Sequence, residues 1–151
     1  MGYKSIEHTI HVHEQGVIAV FQDYKFQSQA RINFLKVMYS ADAVKPPVYM
    51  RLNQRIKKLF YETDPYSYVR LNDQLTQYID DSFERFKLNE KEAESLTKIQ
   101  KYVKQESLIF YSHATSFNSL LSRFPYRLFA KSYPKIPVTK MNDIDGVIVE
   151  R

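Results

Sequence analysis

The sequence predicts a mainly helical α+β fold: an N-terminal β-hairpin, about four to six helices and a short C-terminal strand. Two patterns lead to this prediction. Apolar and polar residues alternate near the N-terminus, as in a strand with one buried face, and from residue 27 onward apolar residues recur at helical spacing. Glycine occurs only three times, which disfavours an all-β fold because tight turns use it. A chain of 151 residues has the length of one domain, so we expect residues 1–151 to form a single domain.

The predicted hairpin covers Ile6 to Gln22. In its first half, a period of two places Ile6 and Ile10 on one face of a strand. Gly16 closes a short polar stretch and can adopt the positive φ that a hairpin loop needs. The apolar run from 17 to 21 is rich in β-branched residues, so we expect a return strand buried on both faces.

Helical patterns with recognisable starts follow the hairpin. A first helix is expected from Gln27 to Ala41, and Pro47 opens a second because proline fits the first turn of a helix. Asp64 is placed to cap a third helix and Asn89, with Glu92 three residues later, to cap a fourth. Their apolar stripes predict a common core of eight residues: Leu52, Ile56, Leu71, Leu75, Ile79, Phe83, Leu96 and Ile99.

The C-terminal third is expected to be less regular. We expect the fourth helix to kink or break near His113, with Ser116 capping a short helix after the break. Pro125 then kinks that helix or starts a new turn that runs to Tyr133. The apolar residues 147–149 follow an Asp-Gly turn signal and predict a strand that pairs beside the N-terminal hairpin.

Composition narrows the classes of function. The chain has no cysteine, which excludes disulfides, thiolate metal sites and a cysteine nucleophile, and fits a cytoplasmic location. No stretch approaches the ~18 consecutive apolar residues of a spanning helix, and the first eight residues are too polar for a signal peptide. We therefore expect no membrane partner.

Charge is distributed unevenly along the chain. Residues 64–94 carry eight acidic and four basic residues, whereas Lys98 to Lys140 contains eight basic residues and one acid, Glu106. The formal net charge is +5. A basic region of this kind attracts anionic partners when it lies on one face of the fold.

The strongest candidate binding segment lies within that basic region. Its basic residues recur at steps of four, which would form one ridge on a helix, and tyrosines lie between them. Cations bind phosphates or carboxylates, and flat rings stack on bases. The predicted binding residues are Arg123, Arg127, Lys131, Lys135, Tyr126 and Tyr133. In the competing structural interpretation, Phe124, Leu128 and Phe129 are core residues and the charges merely solvate the opposite face.

Histidine offers the main chemical alternative. On the predicted strand, His11 and His13 share a face and are close enough to bind one metal, with Glu7, Glu14 or His113 as a third ligand. No spaced set of further ligands accompanies them, so we expect neither a metal nor a cofactor. His113 is flanked by hydroxyl residues, but neither a strained elbow nor an oxyanion loop marks a nucleophile nearby.

Three hypotheses for function follow. The first is a non-enzymatic binding or regulatory protein that engages an anionic partner, either nucleic acid or an acidic protein, through the basic region. The second is a protein-interaction module that uses tyrosines such as Tyr61, Tyr66 and Tyr68, since tyrosine is enriched at interfaces. The third and least favoured is a metal-dependent enzyme centred on His11, His13 and His113. The sequence does not indicate the oligomeric state.

Overall fold

The computed structural model describes residues 2–41 and 47–133. Four α-helices and two short 3₁₀ helices make up nearly all of this part of the chain. They are α1 (Tyr3–Ala41), α2 (Pro47–Phe60), α3 (Pro65–Ser82), a 3₁₀ helix (Phe83–Phe86), α4 (Glu90–Ser122) and a second 3₁₀ helix (Tyr126–Ser132). The described residues contain no strand, so the fold is all-α and the α+β prediction is wrong.

The predicted β-hairpin is replaced by the first half of α1, a helix of 39 residues. Ile6 and Ile10 fit both a period of two and a spacing of four, and the spacing of four is the one the fold uses. With Val17 and Tyr24 they form a buried stripe at helical spacing. Gly16 lies inside the helix and makes no turn. The predicted C-terminal strand, residues 147–149, lies outside the described residues.

Consecutive helices run antiparallel, as in an up-and-down bundle. Tyr39 near the end of α1 contacts Tyr49 near the start of α2, with ring centroids 6.1 Å apart. Tyr78 near the end of α3 donates a hydrogen bond to the carbonyl of Val48, at 3.0 Å. α1 and α4 pack along much of their length, and the shorter α2 and α3 cover only one end of that pair.

Two hydrophobic clusters stabilise the bundle. The larger one fills the four-helix end and includes Ile32, Leu52 and Leu75. The second joins the N-terminal half of α1 to the C-terminal half of α4 and includes Ile10 and Phe117. Of the eight predicted core residues, Leu52, Ile56, Leu75, Ile79 and Leu96 are buried, while Leu71, Phe83 and Ile99 are partly buried against the clusters.

The predicted starts of α2, α3 and α4 are confirmed, but the first helix begins at Tyr3 and not at Gln27, and the predicted break near His113 with a new helix from Ser116 is wrong. The Asp64 carboxylate accepts a hydrogen bond from the Ser67 amide at 3.1 Å and caps α3. Asn89 and Glu92 form a reciprocal capping box at the start of α4. The helix then continues through His113 to Ser122, because its stripe of buried residues packs against α1 without interruption.

Candidate functional site

A layer of buried polar side chains separates the two hydrophobic clusters. α1, α3 and α4 each contribute to it, at positions where the neighbouring turns of each helix supply apolar core residues. Buried polar groups are tolerated only when they are hydrogen-bonded. The members of this polar layer are Tyr24, Ser28, Arg31, Asn72, Asp73, Thr76, Gln100 and Ser107.

Arg31 lies at the centre of the polar layer and is fully buried. Its Nη1 donates hydrogen bonds to Thr76 Oγ1 and to Gln100 Oε1, both at 2.7 Å. Its Nη2 donates to Asn72 Oδ1 at 2.8 Å and to the Asn72 carbonyl at 3.3 Å. The planar guanidinium therefore ties α1 to both α3 and α4 with a geometry that a lysine ammonium does not reproduce. Burial lowers the pKa of Arg31 to about 10, so the group remains charged at neutral pH.

A second set of hydrogen bonds flanks Arg31. The Tyr24 hydroxyl donates to Asp73 Oδ1 at 2.9 Å, and Ser107 donates to the same oxygen at 3.3 Å. Burial, reinforced by the negative charge of Asp73, raises the pKa of Tyr24 well above its ordinary value. The Tyr24 hydroxyl is therefore a fixed hydrogen-bond donor at neutral pH rather than a titrating base.

The polar layer can fix the register of the helices relative to one another. Its hydrogen bonds form only when Arg31 faces Asn72 and Gln100, so a shift of one helix along another leaves further charged or polar groups buried without partners. Within the described residues, the Nε of Arg31 and the Nδ2 of Asn72 have no hydrogen-bond acceptor. At its edge the layer reaches the surface, where Gln100 donates to Asp80 at 3.1 Å and Lys104 forms an ion pair with Asp80 at 2.8 Å.

The predicted core contains none of the polar layer. A buried arginine is hard to anticipate from sequence, because isolated buried charges are costly and uncommon. A signal was nevertheless present, since Tyr24, Ser28 and Arg31 continue the stripe of Ile10 and Val17 at steps of three, four and seven. Polar residues inside a helical stripe of this length indicate a buried network.

His11 and His13 lie on a helix and not on the predicted strand, which changes the faces on which they lie. On a helix, residues two apart point about 200° away from each other, so His11 and His13 do not share a face as they would on a strand. His13 instead lines a cleft of about 470 Å³ with His113 from α4. The described residues hold no group of three histidine, aspartate or glutamate side chains suited to a metal. The Nδ1 of His113 lies 2.9 Å from the carbonyl of Ile109, one turn earlier.

The predicted basic ridge is interrupted where α4 ends. Arg123 is the C-terminal cap of α4 and has an extended backbone, with φ −100° and ψ 146°. The peptide bond between Phe124 and Pro125 is cis, and the second 3₁₀ helix begins directly after it at Tyr126. In a 3₁₀ helix, residues four apart are rotated by about 120°, so steps of four no longer align. The Lys131 side chain and all of Lys135 lie outside the described residues.

Four residues near the end of α4 form a short, exposed surface. We call this surface the basic tip, and it consists of Arg123, Phe124, Arg127 and Leu128. Both arginines are exposed, and Phe124 and Leu128 are 70% and 68% exposed. The Arg127 amide donates to the Arg123 carbonyl at 2.8 Å, and the Arg127 guanidinium lies 6.0 Å from the Phe124 ring. Phe124 and Leu128 are thus not the core residues that the structural interpretation of this segment expected.

The two tyrosines of the predicted binding segment are placed differently. Tyr126 and Tyr133 are half-buried and pack, with Phe129, against the cluster between α1 and α4. Their rings anchor the 3₁₀ helix to the bundle, which leaves the basic tip projecting beside them. The structure therefore separates the predicted segment into anchoring rings and exposed basic and apolar side chains.

Among the helices in the described ranges, none combines the length and apolar content required to cross a membrane. Comparison of the chain with protein-family models, with curated proteins and with solved structures finds no match.

Proposed function

We propose that this protein is a non-enzymatic binding protein whose basic tip engages an acidic segment of a partner protein. The supporting observation is that two large apolar side chains, Phe124 and Leu128, are about 70% exposed and each directly follows an exposed arginine. Exposed apolar groups with adjacent charges mark interaction sites, and aromatic and arginine side chains contribute much of the binding energy at interfaces. Carboxylates of the partner pair with Arg123 and Arg127, while its apolar side chains cover Phe124 and Leu128.

An acidic protein fits the basic tip better than nucleic acid does. Single-stranded nucleic acid is held by several stacking rings together with cations. Tyr126 and Tyr133, the tyrosines predicted to stack on bases, pack against the bundle, so Phe124 is the one exposed ring of the basic tip. Leu128 offers neither charge nor a flat ring, and a protein surface is the better match for an aliphatic side chain.

The alternatives draw less support from the described geometry. The cleft that contains His13 and His113 is lined otherwise by Val12, Gly16, Ser112 and Ser116. Its lining therefore includes no carboxylate that could orient a histidine for catalysis, as the aspartate of a catalytic triad does. The second hypothesis was a protein-interaction surface made of tyrosines. Of these, Tyr68 is buried and Tyr61 is 77% exposed, and the side chain of Tyr66 is not among those the structure describes. A cytoplasmic location, which fits the cysteine-free composition, is part of the proposal.

The test is a binding titration monitored by fluorescence anisotropy at low ionic strength. The probe is a labelled synthetic peptide rich in Glu, Asp, Leu and Phe, and it is compared with the same peptide carrying Gln and Asn in place of the acids. Wild-type protein should bind the acidic peptide more tightly, and the affinity should fall as salt increases. Arg123→Ala with Arg127→Ala should weaken binding at least tenfold, and Phe124→Ala with Leu128→Ala should do the same without changing the salt dependence.

The matched control replaces two other exposed cations, Lys98→Ala with Lys101→Ala on α4, and should leave binding within about twofold. Labelled single-stranded DNA and RNA are titrated in parallel. If an oligonucleotide binds more tightly than the acidic peptide, and this binding is lost in the arginine variant, then the partner of the basic tip is nucleic acid and not an acidic protein. Absence of binding to every probe at low salt would overturn the proposal.

A further inference from the structure

A cleft between α1 and the end of α2 forms a second exposed aromatic surface. Its volume is about 610 Å³, within the range of pockets that enclose ligands. Ile32 and Leu59 form its buried apolar floor, and the rings of Phe26 and Phe60, which are 72% and 56% exposed, stand beside it. We call this cleft the aromatic groove and define it by Asp23, Phe26, Ile32, Leu59, Phe60 and Glu62.

The aromatic groove carries two carboxylates and two nearby lysines, so it is close to neutral on an otherwise basic protein. Asp23 and Glu62 line it and Lys25 is its one basic lining residue, whereas the whole chain has a formal net charge of +5. The Lys25 ammonium is already engaged, 5.5 Å from the ring of Tyr68. Lys36 similarly lies 5.0 Å from the ring of Phe60. The rings of Tyr68 and Phe60 therefore each lie close to a lysine of the same chain, and the carboxylates of Asp23 and Glu62 are the partners that the groove offers to an incoming arginine.

We propose that the aromatic groove receives the basic tip of a second copy of this chain. The proposal rests on the proposed function, because it identifies the apolar, carboxylate-bearing protein surface that the basic tip binds. Phe124 and Leu128 of one copy enter the apolar cleft between Phe26 and Phe60 of the other. Arg123 and Arg127 then lie near the Asp23 and Glu62 carboxylates, so that both charge and apolar character are complementary.

The contact has to form between molecules. Val12 of α1 and Ser116 of α4 line a common cleft, and the basic tip begins just after α4 ends at Ser122. Phe26 is fourteen residues beyond Val12 on α1, which is about 21 Å along the helix axis at 1.5 Å per residue. The basic tip of one copy is therefore too far from its own aromatic groove to occupy it.

The assembly has a defined symmetry. Each copy contributes two different surfaces, so the contact is heterologous, and heterologous contacts that do not close into a ring produce open chains. The average mass should therefore increase with protein concentration, up to a limit if the contacts close into a ring and continuously if they do not. Raising the salt concentration should reduce the average mass, since screening weakens exposed charge pairs.

The experiment is analytical ultracentrifugation of the full chain with two surface variants. The tip variant carries Arg123→Glu with Arg127→Glu, and the groove variant carries Asp23→Lys with Phe60→Ala; all four side chains are exposed. Each variant alone should remain monomeric. An equimolar mixture should form a 1:1 dimer and nothing larger, because one intact tip and one intact groove remain. Ile109→Ala and Lys98→Glu, exposed changes away from both surfaces, should assemble like the wild type.

The outcomes separate this inference from the proposed function. The acidic peptide probe should compete for the basic tip and return wild-type assemblies to monomers. A wild-type protein that binds the peptide through its basic tip but stays monomeric at every concentration would overturn the inference alone. Variant mixtures that do not associate would also overturn it. Failure of both peptide binding and assembly would overturn both proposals. Circular dichroism of each variant confirms that the helices are retained.

Discussion

The guanidinium of Arg31 and the side-chain amide of Gln100 meet in the interior of the bundle, with Nη1 2.7 Å from Oε1. The two residues are separated by 69 positions in the sequence, and both are buried. Gln100 is held in turn by its own donation to the Thr76 carbonyl at 3.2 Å. The pair therefore connects α1, α3 and α4 at one level of the bundle.

The first prediction concerns the cost of breaking this connection. Arg31→Met should destabilise the protein by about 3 kcal/mol, because the buried acceptors of Asn72, Thr76 and Gln100 lose a charged donor. Arg31→Lys should also destabilise it, because an ammonium does not span the same acceptors. Chemical denaturation measures both values. Arg51→Met, an exposed arginine on α2, is the control and should change stability by no more than about 0.5 kcal/mol.

A double-mutant cycle tests the pair itself. In a Gln100→Leu background, Arg31→Met should cost less than in the wild type, with a coupling energy of about 0.5–3 kcal/mol. Strict additivity of the two single changes would contradict a direct contact between Arg31 and Gln100.

The second prediction concerns alkaline pH. The pKa of Tyr24 is raised by burial and by Asp73, whereas an unfolded tyrosine titrates near pH 10. Below about pH 10 both states hold this proton and it contributes no pH dependence. Above that value the unfolded chain loses the proton first, so Tyr24 makes stability fall as pH rises, by up to about 1.4 kcal/mol per pH unit.

Tyr24→Phe isolates this effect. At pH 7 the variant should be less stable by about 1.5–3 kcal/mol, because Asp73 loses a hydrogen bond, but above about pH 10 its stability should fall less steeply than that of the wild type. Arg31, whose pKa is lowered to about 10, acts with the opposite sign in the same pH range and is present in both proteins. Parallel pH profiles, measured by denaturation, would show that Tyr24 is not buried in its neutral form.

The third prediction concerns the larger hydrophobic cluster. Leu75 is fully buried and belongs to that cluster. Leu75→Ala should lower the free energy of unfolding by about 2–5 kcal/mol, through lost burial and the cavity left behind. Leu128→Ala is the matched control: Leu128 is mostly exposed, so the same chemical change should have little effect on the thermal midpoint. Similar costs for the two changes would place Leu75 outside the core.

The starts of α2, α3 and α4 were predictable because their signals are local, although α4 does not break near His113 as predicted. Asp64 with Pro65 and Asn89 with Glu92 mark helix starts within a few residues, and the apolar stripes that follow each have one plausible period. The first helix lacked such a signal. Its early residues, such as Ile6 and Ile10, fit a strand and a helix equally well, and only packing against α4 decides between them.

The candidate surfaces were predictable only in part. Charge alone indicated Arg123 and Arg127, but the exposure of Phe124 and Leu128 depends on where the second 3₁₀ helix is anchored by Tyr126. The aromatic groove combines residues from α1 and the end of α2, which come together only when those helices pack antiparallel. Local sequence patterns do not contain that information.

The last prediction distinguishes the observed helix from the predicted hairpin at Gly16. A glycine inside a helix lowers its stability by roughly 0.5–1 kcal/mol relative to alanine, and a Cβ atom added at Gly16 would meet no atom within 4 Å beyond its chain neighbours and the adjacent backbone of its own helix. Gly16→Ala should therefore stabilise the protein by about 0.5–1 kcal/mol. Ala19→Gly, at an exposed position of the same helix, should destabilise it by a similar amount. In a hairpin loop with positive φ at Gly16, alanine would instead be strained. Loss of stability in Gly16→Ala, measured by chemical denaturation, would therefore favour a turn over a continuous α1.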